Sequence, residues 1–189
     1  MKQRPNSPAR AGRLLGCVAV TLALALGATA CGGDSSGSGD SSSAPDAKKA
    51  TTALNAGLKA HAAGDLNGAS ASYKKTLEYD PANKFAFYNL ALIDEAGGNY
   101  GLAEQKYRAA LDSDPKYEPA LFNLAILRTG PAPKEATSLY QRAVESNPKD
   151  ASAWLNLGLL LRASGVKAQG NKADLKAIAL NPKLKDPAA

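Results

Sequence analysis

Between Phe85 and Pro115 the apolar and small residues fall three or four apart: Phe87, Leu90 and Ala91, then Ala103, Tyr107 and Ala110. That spacing buries one face of a helix, and it occurs here in two successive runs. Gly97, Gly98 and Asn99 interrupt it where a tight turn belongs. Asp114-Pro115 ends the second run, because a residue before proline is pushed out of the α region. The stretch predicts a helical hairpin. One hairpin alone leaves its apolar face uncovered, so it needs neighbours.

The neighbours are in the chain. Pro81, Pro115, Pro148 and Pro182 lie 34, 33 and 34 residues apart, and each follows Asp or Asn. Aligned on these prolines, the same pattern appears four times. Its first helix opens on Ala53, Phe87, Leu121 and Trp154, followed by Ala56-Gly57, Leu90-Ala91, Leu124-Ala125 and Leu157-Gly158. Its second helix carries a small residue at Ala69, Ala103, Ala136 and Gly170. An aromatic follows at Tyr73, Tyr107 and Tyr140, where the last unit has Asp174, and then comes Thr76, Ala110, Ala143 or Ala177.

This pattern resembles the tetratricopeptide repeat, W-x2-L-G-x2-Y followed by A-x3-F, an Ala and a Pro. Trp154, Leu157 and Gly158 match its opening directly, with Leu161 in the Tyr place. The resemblance covers about residues 50–182. It implies an all-α, right-handed α-solenoid of four tetratricopeptide hairpins, residues about 50–81, 84–115, 118–148 and 151–182, within a domain of residues 46–183. Each unit holds a first helix (A) and a second (B), expected at residues 46–63 and 67–79, 82–96 and 100–113, 117–128 and 133–146, and 151–163 and 167–180. The third unit is one residue short, with Pro131 and Pro133 at its turn and helix start. In the fourth, Gly170 and Asp174 depart from the pattern. Helix 4B is expected to fray first, since glycine costs about 1 kcal/mol against alanine in a helix.

The amino-terminal 45 residues follow another logic. A basic segment with Lys2, Arg4, Arg10 and Arg13 precedes an apolar run of 17 residues, Leu14 to Ala30. Small residues close the run, as in a secretory signal over residues 1–30. The run is short for a membrane-spanning helix, which takes about 20 apolar residues. Ala28-Thr29-Ala30-Cys31 resembles the lipobox of bacterial lipoproteins, although Ala28 stands where that motif usually has Leu. The resemblance implies cleavage before Cys31 and its acylation, palmitate included, which would hold the protein on the extracytoplasmic face of the cell membrane in the bacterial envelope. Cys17, in Leu14-Leu15-Gly16-Cys17, is a closer literal match, but no apolar region precedes it and cutting there would strand Val18 to Ala30 at the new terminus. Residues 31–45, rich in Gly, Ser and Asp, are expected to be a disordered tether. Its thirteen residues from Gly32 to Ala44 would span about 20 Å.

Net charge is +6, of which the four cations of the leader supply +4. The basic balance is therefore mostly a property of the leader and is no footprint for nucleic acid. Lys48-Lys49 and Lys74-Lys75 are expected to be solvated helix faces. With the leader removed, Cys31 is the only cysteine, so no disulfide forms within the chain. No cofactor is implied. His61 is the sole histidine and has no cysteine beside it, metal-ligand spacing is absent, and adjacent Asp94 and Glu95 do not face each other on a helix. The expected role is binding, not catalysis.

The resemblance places the A helices along a concave face. Two residues before each Gly or Ala of the motif stand Asn55, Asn89, Asn123 and Asn156. An amide can both donate to and accept from one peptide unit, so a row of them could hold an extended backbone without reading its sequence. The row is similar to the asparagine ladder of the O-linked sugar transferase superhelix. The same amides could instead hydrogen-bond between neighbouring A helices. Beside them run Leu54 and Leu58, Tyr88 and Leu92, Phe122 and Ile126, and Leu155 and Leu159, each pair one turn apart. A contiguous apolar strip of this kind marks a groove for a protein or peptide partner. The carboxylate-clamp subclass would need Lys or Arg there, and Lys59 and Arg162 are the nearest. A second possibility is a structural homo-oligomer in which another copy fills the groove.

Overall fold

The structure, a computed structural model, describes residues 46–184; the expectations for the leader, Cys31 and the tether lie outside them. The described chain is all helical. Hairpin 1 pairs α1 (Ala47–Ala62) with α2 (Leu66–Tyr79), and hairpin 2 pairs α3 (Lys84–Ala96) with α4 (Tyr100–Ser113). Hairpin 3 pairs α5 (Glu118–Arg128) with α6 (Pro133–Ser146), and hairpin 4 pairs α7 (Ala151–Ala163) with α8 (Lys167–Leu180). Each helix packs on its sequence neighbours in turn, α1 to α8, which is a solenoid of four stacked hairpins. No helix among the described residues is long and apolar enough to cross a membrane.

The period of the sequence reappears as a period of hydrogen bonds. After each B helix the Asp or Asn before proline turns extended, with φ between −144° and −132° at Asp80, Asp114, Asn147 and Asn181. Its carbonyl accepts from the residue three further on: Asn83, Tyr117, Asp150 and Leu184, at 3.0–3.2 Å. Asn83 and Asp150 then cap the next A helix through their side chains, accepting from Ala86 N at 3.0 Å and from Ser152 N at 2.8 Å. The dipeptide that punctuates the sequence is thus the device that starts the next hairpin.

The turns inside the hairpins use glycine in three units of four. Gly64, Gly98 and Gly165 have φ of 79°, 75° and 87°, the left-handed region that glycine enters without penalty. The next N–H in each case returns to a carbonyl five residues back: Asp65 to Ala60, Asn99 to Asp94, and Val166 to Leu161. This is the closing bond of a Schellman cap. Hairpin 3 differs, since Ala132 N donates to Arg128 O and Pro133 starts α6 directly. The closing bond there reaches four residues back instead of five, which accounts for the missing residue of the third unit.

The core follows the repeat. Tyr73, Tyr107 and Tyr140 are fully buried, next to the small residues Ala69, Ala103 and Ala136. Leu90, Leu124 and Leu157 are buried against the preceding hairpin, whereas the matching Ala56 has no such hairpin and is exposed. The two departures of hairpin 4 from the pattern, Asp174 and Gly170, have a physical reason. Asp174 is 2% exposed and forms an ion pair with Arg162 across the hairpin. Gly170 is buried where a Cβ would sit 2.9 Å from Gly158 O and 2.6 Å from Arg162 Cγ. Its propensity cost is therefore tied to a close approach of α7 and α8 that a side chain would block.

Candidate binding groove

The site is built on the exposed flank of the four A helices. Leu54, Leu58, Tyr88, Leu92, Phe122, Ile126, Leu155 and Leu159 are all partly exposed, while Gly57, Leu90, Ala91, Leu124, Ala125, Leu157 and Gly158 of the motif are buried. Aromatic rings meet along this strip inside hairpins 2 and 3 and, at Tyr88–Tyr117, between them. Tyr88 packs edge-on against Tyr117 at 5.5 Å and tilts against Tyr107 at 5.8 Å, and Phe122 meets Tyr140 at 5.7 Å. The Tyr88–Tyr117 contact thus links hairpins 2 and 3 along the strip.

The four asparagines do not behave alike. Asn55 is exposed. Asn89 Nδ2 donates to Phe85 O of its own helix at 2.8 Å. Asn123 Nδ2 donates to the Tyr88 hydroxyl at 3.2 Å, across to the preceding A helix. Asn156 lies near the Tyr140 hydroxyl, which burial pushes up to about 12. Asn123 thus ties a neighbouring tyrosine in place and keeps its oxygen and a second N–H for other bonds.

At the far end of each strip a polar residue meets the B helix of its own hairpin. His61 Nδ1 lies 3.3 Å from the Tyr73 hydroxyl, and the Tyr107 hydroxyl donates to Glu95 Oε2 at 2.7 Å. Burial, reinforced by the Glu95 carboxylate, drives the Tyr107 hydroxyl well above the usual phenol range. Thr129 stands near Tyr140, its hydroxyl donating to Ala125 O at 2.8 Å, and Arg162 takes Asp174. His61 is therefore partly buried and partnered, not a free surface residue. Arg162 is spent on Asp174, which removes it as a clamp for a peptide carboxylate, and Lys59 is exposed. Asp94 is paired with Lys106, so the adjacent acids Asp94 and Glu95 point to different partners. Sequence reasoning missed this cross-hairpin pairing, although one signal was present: in the register of the repeat the only unit with an acid in the aromatic place also carries Arg162 where the others have His61, Glu95 and Thr129.

The other rim holds two carboxylates. Glu118, at the start of α5, faces Asp150, the cap of α7. Burial and the neighbouring Asp150 push Glu118 up to about 7, opposed by a hydrogen bond from Asn147. Lys84 on the same rim pairs with Asp114 at 2.6 Å and lies over the Phe85 and Tyr117 rings, both 5.1 Å away. Among the described residues no cluster of three His, Cys, Asp or Glu side chains is arranged to hold a metal ion. The surface offers apolar area, amides and carboxylates, which is the chemistry of binding.

Comparison with known proteins agrees with this architecture. Two family models described as tetratricopeptide repeat match residues 54–118 and 139–173. No curated protein matches the chain. Among solved structures, PilF of Pseudomonas aeruginosa is similar at 25% identity and a TM-score of 0.63, over 73% of this chain and 64% of that one. MamA is similar at 22% identity and a TM-score of 0.62, over 73% and 81%. The first tetratricopeptide domain of Spaghetti (RPAP3), bound to an HSP90 peptide, is similar at 24% and 0.58, over 64% and 98%. With four stacked hairpins, a buried residue at every motif aromatic place, and repeat models that together match more than half its length, the chain belongs to the tetratricopeptide repeat family.

Proposed function

We propose that this protein is an adaptor that binds a protein or peptide partner along the concave face of its A helices, and that it is held on the extracytoplasmic face of the cell membrane by acyl chains on Cys31. The observation that carries the binding role is the row of apolar residues from Leu54 to Leu159, a pair on each of the four A helices, all left partly exposed. Leaving so much apolar surface in contact with water is unfavourable for a chain with no partner. The strip suits an extended or helical peptide with apolar side chains, and Asn55 and Asn123 supply amide groups for its backbone. A peptide on the similar RPAP3 domain supports the choice of ligand class. The anchoring reading rests on the leader and on Cys31 in the sequence. Two chains or more would make attachment stable, since one binds marginally.

The test places a photo-crosslinking residue at Leu92 or Ile126 in cells that make the full chain, with Lys75 on the exposed side of α2 as control. Groove positions are expected to trap a partner that the control does not. Combining Asn55→Ala with Asn123→Ala is expected to weaken that capture with helicity unchanged. Equal trapping at Lys75 would refute the groove. Mass spectrometry of the membrane fraction tests the anchor separately, and an unmodified Cys31 peptide would sink it. Sedimentation of the domain at micromolar concentration is expected to show a monomer, and a dimer would favour filling by a second copy.

A further inference from the structure

A second concavity lies away from the groove, where α6 and α8 flank α7. It has a volume of about 680 Å³ and is lined by Gln141 of α6, by Trp154, Leu157 and Leu161 of α7, and by Leu175 of α8. The equivalent gap one hairpin earlier, between α4 and α6, is closed by charge. Arg108 bridges Glu104 and Glu135 at 2.8 and 2.6 Å, and Arg128 bridges the same two acids at 3.1 and 2.7 Å. In the register of the repeat, Glu104, Arg108, Arg128 and Glu135 become Thr137, Gln141, Leu161 and Gln169. None of the four replacements carries a charge, so no ion ring can form and the cleft stays open. Leu175, beside it, is 65% exposed.

The rim of the cleft is positive. Lys172 and Lys176 line it one helical turn apart and are exposed. Among the described residues neither has an ion-pair partner, and the one acid of α8, Asp174, is buried on Arg162. Like charges at this spacing repel along a helix. Their repulsion is relieved by two carboxylates at the same spacing on a partner.

We infer that this cleft is a second docking site, which takes an acidic amphipathic helix of a partner protein. An apolar side chain of that helix covers Trp154 and Leu161, and two carboxylates one turn apart meet Lys172 and Lys176. The site shares no lining residue with the groove, so a protein engaged there leaves the A-helix strip free.

Trp154 is the only tryptophan of the chain, and it lines the cleft, so its emission reports occupancy. The full chain is titrated with a 14-residue helical peptide, of roughly four turns, carrying Leu along one face and Glu beside it, and with its Lys counterpart. The Glu peptide is expected to shift Trp154 emission to shorter wavelength and to saturate. Lys172→Glu combined with Lys176→Glu is expected to weaken it at least tenfold and to bind the Lys peptide instead. Leu175→Ser, at an exposed site that the fold does not need, is expected to weaken the Glu peptide as well. An unchanged emission, or an equal response to both peptides, would overturn the proposal. So would a shift that follows protein concentration alone, which means a second copy, or one seen only with phosphatidylglycerol vesicles, which means a membrane surface.

Discussion

Replacing Asp174 by Asn tests how hairpin 4 is held together. The change keeps the shape of the side chain and removes its charge. Asp174 is almost fully buried, and both of its carboxylate oxygens are sequestered from water with no polar partner besides the Arg162 guanidinium. Arg162 cannot shed its proton, so the variant leaves a buried cation without a counter-charge. Breaking a buried pair from one side costs about 3–5 kcal/mol. The Arg162 side chain keeps 19% exposure, and water at that edge places the expectation near the lower bound, about 3 kcal/mol. Because a solenoid is held by neighbour interfaces, the loss should be local. Hydrogen exchange is expected to show α7 and α8 opening first, with α1 to α4 protected as before. Arg162→Met combined with Asp174→Leu should recover most of the loss, since a buried pair replaced by apolar groups is often neutral. A loss under about 0.5 kcal/mol for Asp174→Asn, or a double variant worse than the single one, would refute the reasoning, because a surface pair is worth no more than about 1 kcal/mol.

Gly170→Ala is expected to destabilise by about 1–3 kcal/mol in urea unfolding, because the added Cβ meets the backbone of Gly158 and Arg162; helix propensity alone predicts a gain of about 1 kcal/mol, so the sign of the change decides between them. Leu121→Ala is expected to cost about 2–5 kcal/mol, as Leu121 is fully buried between hairpins, and the same urea titration reads it. For Glu118, the folded pKa of about 7 lies above the ordinary 4.5, so its contribution is intact below about 4.5 and lost as pH rises through 7. The melting temperature of the native chain relative to Glu118→Gln is accordingly expected to fall between pH 5 and 8, and a constant difference across that range would count against the Glu118–Asp150 contact.

How far the fold can be read from the chain depends on which forces are local. Asp80-Pro81 and its three counterparts act within a few residues: proline blocks the helix, the residue before it turns extended, and its carbonyl starts the next turn. Such punctuation survives intact in one dimension, and the tyrosines and alanines of the B helices follow from it by counting. The Arg162–Asp174 pair is different in kind. It joins residues twelve apart on two antiparallel helices, so neither residue looks unusual until the hairpin closes. Asp174 then appears as a departure from the motif when it is one half of a substitute for the tyrosine contact.

The same distinction separates the two surfaces. The A-helix strip is legible because Tyr88 and Leu92, like Phe122 and Ile126, sit one turn apart in the sequence, and the repeat copies them into register. What the four asparagines do is not legible, since Asn89 and Asn123 have the same place in the motif. One bonds to its own helix and the other crosses to Tyr88, which only hairpin 2 supplies at that position. The cleft beside Trp154 is hidden more deeply still. It exists because four positions on three helices lack the charges that seal the preceding gap, and an absence has no periodicity to betray it. A repeat therefore advertises the contacts that every unit shares, while what one unit does differently, at Asp174 and at Leu161, is where this chain acquires features that its family pattern does not dictate.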